Sequence, residues 1–242
     1  STEIYKAYDK LPIIQLAGNS NGLLTKELMN YLVDKDNPTD VKIAIINRLG
    51  WDIKGKTNAS ILIQYLKSKY GFKTTADLKA GLSASDLICI AYLKSMDNYF
   101  DTKEALTFAT AAQAKEPKSY TINIIRSLIK AQDYLYKSYC QVFKIVDEVR
   151  TDENLTMDFN KEASAIIFDY IDGYKAWYQY DKLHRTDDKP TIENANGDKY
   201  WYLNGKLLTE QEFNKQTQVK EVSMNVIAKL LGIIINLLKI KK

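Results

Sequence analysis

The chain has 242 residues, of which 45% are apolar and 26% are charged, a globular composition that excludes an intrinsically disordered or collagen-like chain. This length allows one or two domains and a core large enough to fold without a metal or a disulfide. Its 34 basic and 30 acidic residues give a net charge of +4, a mixed surface without the Lys/Arg stripe that is typical of nucleic-acid binding.

The first 82 residues predict short helices with clear stops. Apolar side chains at helical spacing run up to Gly50 and again up to Gly71, and both glycines are placed as C′ residues. Trp51 and Ile53 lie between these two helices, where we expect them to fix the connection to the core.

Residues 83–155 predict two successive helical hairpins. Ser83 or Ser85 caps the first helix of this stretch. Asp101 precedes the second helix and is followed three positions later by Glu104, which is the spacing of a capping box.

The two hairpins repeat at an offset of 34 residues, with small residues in mid-helix and a proline after the second helix. The residues that carry this pattern are Ala91, Tyr92, Tyr99, Ala105, Phe108, Ala109 and Pro117. On them the segment resembles the tetratricopeptide repeat, a helix pair of about 34 residues, although the usual early Trp and the Leu-Gly pair are absent. The resemblance implies a stack of helical hairpins and suggests peptide binding. An ordinary α-helical bundle is the alternative.

Residues 160–172 predict one more helix, for which Asn160 is the candidate N-cap. The composition then becomes aromatic and strand-like, and residues 174–208 predict a small antiparallel β-meander. Within it, Asn204 and Gly205 separate two short strands, a sequence typical of a two-residue hairpin turn.

The meander contains an internal repeat at an offset of 24 residues. Identical residues at this offset are Lys175 and Lys199, Trp177 and Trp201, Tyr178 and Tyr202, Lys182 and Lys206, and Leu183 and Leu207. Residues 183–213 combine a His184-Arg185 turn with the sequence WYLNGK, and they resemble a β-hairpin repeat of bacteriophage and some bacterial proteins. The Gly that is usual in the turn is replaced here. The resemblance implies a structural repeat and a phage or mobile-element origin, and it says nothing about activity.

Successive side chains of a strand face opposite sides of a sheet, so one face of the meander can pack on helices while the other presents aromatic rings. Such rings are enriched at protein interfaces. The alternative is that both faces are covered within the monomer. The candidate protein-binding residues of this region are Trp177, Tyr178, Tyr200, Trp201 and Tyr202.

Thr209 and Glu212 have the spacing of a capping box and predict a final helix over residues 209–242. From residue 221 its polar positions form one thin stripe, and the apolar run is shorter than a membrane span. Three interpretations stay open: a helix buried in its own domain, a subunit-contact helix, and an interfacial membrane helix. The candidate contact residues are Val226, Leu230, Ile233, Ile234 and Leu237.

Residues suited to catalysis or metal binding are scarce. The chain has one His and two Cys, and a zinc site built from these residue types would need all three. We therefore expect no metal and no cofactor. We interpret His184 as a structural turn residue, and Cys89 and Cys140 as buried free thiols. A carboxylate-based hydrolase would use a pair such as Asp169 and Asp172, one helical turn apart.

The sequence therefore predicts a mainly α-helical protein. It consists of a helical domain with a tetratricopeptide-like hairpin array over residues 1–172, a β-meander over 173–208 and a hydrophobic helix over 209–242. We expect a non-enzymatic interaction or scaffold protein that assembles with itself or another protein, with a phage virion, tail or connector component as the concrete form. The alternatives are a carboxylate-based hydrolase and a membrane-surface protein tethered by its last helix. Because no signal peptide or transmembrane span is visible, we expect it in the cytoplasm or a virion.

Overall fold

The structure is a computed structural model that describes residues 2–52, 54–135, 138–172, 175–176, 178–179, 182–185, 189–193 and 198–217. Contacts divide the chain into two units, Ser1–Ile171 (unit 1) and Asp172–Lys242 (unit 2). Unit 1 is helical and unit 2 contains the strands, which confirms the prediction of a mainly helical protein with a small antiparallel sheet.

Unit 1 starts with a 3₁₀ turn at Ile4–Tyr8 and continues as α-helices. They are α1 (Pro12–Gly18), α2 (Lys26–Val33), α3 (Thr39–Leu49), α4 (Asn58–Tyr70), α5 (Thr75–Gly81), α6 (Ala84–Asp97), α7 (Lys103–Lys115), α8 (Tyr120–Gln132), α9 (Tyr139–Arg150) and α10 (Lys161–Asp172). Gly50 and Gly71 follow α3 and α4 with positive φ, as their predicted C′ positions require.

Side-chain hydrogen bonds cap the N-termini of α6 and α8. Ser83, rather than Ser85, is the N-cap of α6: its Oγ accepts from the Asp86 N–H at 3.1 Å, and Asp86 accepts in return from the Ser83 N–H. Ser119 begins α8 in the same way, because its Oγ accepts from the Ile122 N–H at 3.2 Å. Each cap satisfies donors that a helix cannot pair internally.

The start of α7 differs from the prediction. Its N-cap is Thr102, and Asp101 accepts from the Lys103 N–H at 3.2 Å. Glu104 pairs instead with Lys94 of α6, at 2.9 Å between Oε2 and Nζ. The predicted capping box of Asp101 and Glu104 is therefore wrong, because the N-cap is one residue later and Asp101 accepts from Lys103 instead of Glu104.

The core of unit 1 is organised around α3 and α6, which are buried along most of their length. Helix α6 contacts α3, α4, α7 and α8, while α7 contacts α8 and α8 contacts α9. Asn47 fixes the N-terminal segment to this core: its Nδ2 donates to the Thr2 carbonyl at 2.9 Å and to the Tyr92 hydroxyl at 3.0 Å. Its Oδ1 accepts from the Tyr5 N–H, so every polar atom of this buried amide has a partner.

Unit 2 contains short antiparallel strands. They are β1 (Lys175–Ala176), β2 (Tyr178–Gln179), β3 (Lys182–Leu183), β4 (Ile192–Glu193), β5 (Lys199–Leu203) and β6 (Lys206–Leu208). One sheet has the order β1-β4-β5-β6, whereas β2 and β3 pair with each other. The described strands therefore do not form the continuous meander that the sequence predicted, since β4 returns to β1 rather than to β3.

The predicted hairpin at Asn204 and Gly205 is confirmed, and both residues have the positive φ that its tight turn requires. The β2–β3 and β5–β6 hairpins have the same register at the 24-residue offset of the sequence repeat. The equivalent pairs are Tyr178 with Leu183 and Tyr202 with Leu207, then Gln179 with Lys182 and Leu203 with Lys206.

A helix follows β6 over residues 210–217. The capping box predicted at its start is confirmed: Thr209 Oγ1 accepts from the Glu212 N–H at 3.2 Å, and Glu212 Oε2 accepts from the Thr209 N–H at 2.9 Å. The predicted hydrophobic part of this helix, beyond residue 217, lies outside the described residues.

Candidate interaction surfaces

The two faces of the β5–β6 hairpin have different surroundings. The inner face carries Leu203 and Leu208, which pack with Phe213 of the following helix. The outer face carries the cross-strand pair Tyr202 and Leu207 together with Tyr200. Tyr200 is 39% exposed and Leu207 is 55% exposed. We call these three residues the outer face.

Trp201 does not belong to the outer face. It pairs with Leu208 across the hairpin and packs against the inner cluster. Its indole Nε1 is buried and has no hydrogen-bond partner among the described residues. Of the predicted protein-binding residues of β5, Tyr200 and Tyr202 therefore lie on the exposed side, and Trp201 is partly buried beneath them.

Other predicted site residues fall outside what the structure describes. Tyr178 is in β2, but only its backbone pairing is described. Those that lie wholly outside the described residues are Trp177, Val226, Leu230, Ile233, Ile234 and Leu237. Of the two predicted buried thiols, Cys89 is buried and free, with its pKa raised to about 12 by burial, and the Cys140 side chain is not described.

The single histidine forms a hydrogen bond between two segments of the sheet region. His184 Nδ1 accepts from the Asn204 N–H at 3.0 Å, which links the turn of the β5–β6 hairpin to the segment after β3. The neighbouring Arg185 donates to the Pro190 carbonyl at 3.0 Å. These bonds to the backbone fit the structural role that the sequence suggested for His184, and they leave one ring nitrogen for other contacts.

Unit 1 has an exposed aromatic cluster that the sequence reasoning missed. The Trp51 ring stacks on Tyr99 with centroids 4.7 Å apart, and Phe100 contacts both rings edge-on at 6.3 and 5.8 Å. Phe100 is 59% exposed and Trp51 is 39% exposed. We call these three residues the aromatic triad. The predicted attachment of Trp51 to the core is wrong, because the ring lies at the surface; Ile53 lies outside the described residues.

Hydrogen bonds of the backbone and of two side chains join the two loops that carry the triad. The Lys56 N–H donates to the Asp97 carbonyl at 3.0 Å, and Asp97 Oδ2 accepts from the Ala59 N–H at 2.7 Å. Lys56 Nζ donates to the carbonyls of Leu49 and Gly50 at 2.6 and 2.9 Å. The carboxylate therefore compensates the N-terminus of α4 and the ammonium compensates the C-terminus of α3.

Burial shifts both of these groups toward their neutral forms. Desolvation raises the pKa of Asp97, against the opposing effect of the N–H groups of Ala59 and Asn58. Desolvation also lowers the pKa of Lys56, against the attraction of Asp52 and Asp97. Asp97 Oδ1 is buried and has no hydrogen-bond partner among the described residues. Because both side chains are tied to helix ends, we assign them to holding the two loops together.

A polar pocket of about 240 Å³ lies beside these loops. It is lined in part by Lys56, Lys94, Asp97, Asp101, Lys103 and Glu104. Its three lysines and three acids are balanced, and Lys94 and Glu104 already pair with each other. Among the described residues, no three His, Cys, Asp or Glu side chains converge as metal ligands would.

The carboxylate pair of the hydrolase alternative is described in part. Asp169 is exposed on α10, and the Asp172 side chain lies outside the description. No described helix has the length and apolarity that crossing a bilayer requires. The chain matches no family model, no curated protein and no solved structure.

Proposed function

We propose that this is a non-enzymatic interaction or scaffold protein that assembles with copies of itself through the outer face of its sheet. The observation that carries the proposal is the contrast across two strands: Leu203 and Leu208 are buried, while Tyr200 and Leu207 on the other side face solvent. Tyrosine is among the residues that contribute most to binding at interfaces.

The backbone under the outer face is held in place. Thr191, which is fully buried, accepts from the Tyr202 N–H at 2.8 Å and donates to the Tyr202 carbonyl at 2.9 Å through its hydroxyl. Its own N–H donates to the Tyr200 carbonyl at 2.8 Å. A surface fixed before binding loses little conformational entropy on association, which supports a role in stable contacts.

Unit 1 supports the same class of function. The contacts of α6 with α7, α7 with α8, and α8 with α9 follow the chain order that a stack of helical hairpins requires, and they support a tetratricopeptide-like arrangement. A bacteriophage virion, tail or connector component is the concrete form that we propose. That step rests on the repeat resemblance of residues 183–213, so it is an argument by analogy.

Sedimentation velocity of the full chain across a wide range of concentrations tests the proposal. We expect the weight-average mass to rise above the 27.7 kDa of a monomer. The double variant Tyr200→Ser/Leu207→Ser should weaken this association at least about tenfold, because it removes both strongly exposed side chains of the outer face. The matched control is Leu23→Ser/Tyr70→Ser, which changes a leucine and a tyrosine of unit 1 that are more exposed than Leu207 and Tyr200, and it should leave the association unchanged.

Two outcomes contradict the proposal. A wild-type chain that stays monomeric at every concentration argues against self-assembly. Association that the double variant leaves intact argues against the outer face as its site. Matching circular dichroism spectra of the variant and the wild type establish that a loss of association is not a loss of fold.

A further inference from the structure

We propose that the aromatic triad of unit 1 is the centre of a second contact, in which the triad of one copy packs against the triad of another copy. This inference rests on the proposed function because it requires self-association, but it uses a different surface from the sheet. Each chain would then have two separate self-association surfaces, which allow species larger than a dimer.

The chemistry of the triad fits the centre of an interface. Its rings are in mutual contact, yet more than half of Phe100 and more than a third of Trp51 remain in water. Aromatic side chains clustered in this way bury a large apolar area at little cost in side-chain entropy. A Trp–Tyr pair at the middle of a patch is typical of the few residues that supply most of the binding energy.

The two loops that carry the triad are tied together. Trp51 follows α3 and Phe100 follows α6, and the loops are joined by the bond from the Lys56 N–H to the Asp97 carbonyl. Gly55 lies so close to that carbonyl that an added Cβ would be 3.1 Å from its oxygen. This tie limits the separation of the two loops before a partner binds, which lowers the entropic cost of binding.

The charges beside the triad fit a second copy as the partner. Each loop places an acid two residues before a lysine, and the four side chains, Asp52, Lys54, Asp101 and Lys103, are all exposed. A strongly acidic or basic partner would leave one sign of this rim unpaired. A two-fold axis through the triad brings the same surface back in the opposite direction, so the acids of one copy can face the lysines of the other.

The first test removes the centre of the contact. Phe100→Ser should weaken association at least about tenfold, whereas Tyr70→Ser, an exposed aromatic on α4, should not change it. In the Tyr200→Ser/Leu207→Ser background we expect dimers, which the additional change Phe100→Ser converts to monomers.

The second test exchanges the rim charges. Chains with Lys54→Asp/Lys103→Asp carry only acids on the rim, and chains with Asp52→Lys/Asp101→Lys carry only lysines. Each, in the sheet-variant background, should be monomeric alone, and an equimolar mixture should recover dimers. Asp52 and Asp101 also accept from the N–H groups of Lys54 and Lys103 within their own loops. Recovery on mixing is a result that misfolded chains could not give.

The outcomes separate this inference from the proposed function. A sheet variant that is already monomeric supports the outer face and overturns the triad contact. Dimers of the sheet variant that survive Phe100→Ser also overturn it. Failure of the two charge variants to recover dimers on mixing overturns the two-fold pairing of the rim. A wild-type chain that never associates overturns both proposals.

Discussion

The two units of this chain bury their large side chains in different ways. In unit 1, α3 and α6 are enclosed by other helices, and their aliphatic residues are buried on nearly every side. In unit 2, the described hydrophobic cluster lies beneath one face of a hairpin. Its members are Leu203, Leu208 and Phe213, with Trp201 packed against them. The opposite face of the same strands carries Tyr200 and Leu207 in water.

The difference follows from the geometry of the elements. A helix in a bundle can be surrounded by neighbours, whereas a small sheet has two faces and needs a separate cover for each. Exposed apolar residues of unit 2 therefore lie on the strands themselves. The aromatic triad of unit 1 lies instead on two loops between helices, and its Trp51 and Phe100 rings are exposed. The candidate contacts therefore lie at a sheet face in unit 2 and at helix connections in unit 1.

The largest expected effect comes from truncating one buried phenylalanine in each unit. Phe108 and Phe213 are both fully buried, so changing either to Ala should cost about 3–5 kcal/mol. We expect Phe108→Ala to lower the urea midpoint of the helical circular dichroism signal. Phe213→Ala should unfold the sheet while the helical signal persists, because the described core of unit 2 has so few members.

The partly exposed Phe143 provides the control, and Phe143→Ala should cost less than about 1 kcal/mol. Limited proteolysis locates the change: Phe213→Ala should open cleavage sites after residue 172 before any within α3 or α6. If Phe213→Ala instead lowers the helical midpoint as much as Phe108→Ala does, the two units share one cooperative core, and the contrast drawn between them fails.

The features that the sequence predicted well are set by neighbouring residues. The caps at Ser83 and Thr209 each depend on a bond to a residue three positions later, although the sequence left Ser83 and Ser85 as alternatives. The hairpin at Asn204 and Gly205 is local in the same sense.

The features that it missed depend on residues distant in the chain. At α7 the N-cap is Thr102, one residue beyond the predicted Asp101, and Glu104 pairs with Lys94 of another helix. The triad forms because tertiary packing brings Trp51 beside Tyr99, and no local pattern records that meeting. Alternation along β5 predicted two faces, but only the position of the following helix decides that Trp201 lies on the inner one.

A smaller effect is expected from the glycines that end one element in each unit. Gly71 follows α4 with φ +73°, and Gly205 turns the hairpin with φ +82°. An added Cβ meets nothing within 4 Å at Gly71, and its nearest neighbour at Gly205 is Lys182 at 3.6 Å. The cost of Ala at either position is therefore backbone strain of about 1–2 kcal/mol, measured as a loss of unfolding free energy.

Asparagine at the same two positions separates strain from packing, because it tolerates the left-handed conformation better than alanine does. Gly71→Asn and Gly205→Asn should each recover part of the stability that alanine loses. Equal losses of stability with Ala and Asn would show that packing of the added Cβ, rather than strain at positive φ, causes the loss. The contrast between units predicts that Gly205→Ala acts on the sheet and leaves the helical signal unchanged.

The smallest effect concerns pH and has opposite signs in the two units. Burial raises the pKa of Asp97 in the folded state. At a pH between the ordinary and the raised pKa, the chain therefore takes up a proton when it folds. Stability then rises as pH falls through the raised pKa. The Thr209 N–H and hydroxyl lower the pKa of Glu212, so its contribution is present above the ordinary Glu pKa and is lost as pH falls through the lowered one.

Removing each charge should therefore act in opposite directions. Asp97→Asn keeps an oxygen for the Ala59 N–H and removes a desolvated charge. It should therefore raise the urea midpoint of the helical signal at neutral pH. The variant should also lose the increase in stability that the wild type gains on mild acidification. Glu212→Gln keeps the capping geometry but should lower stability slightly at neutral pH and not at acid pH. If Asp97→Asn destabilises the chain at neutral pH, the ionised carboxylate contributes more at the N-terminus of α4 than its burial costs. In both units the ionised acid at a helix N-terminus would then stabilise the fold, although Asp97 is buried and Glu212 is exposed.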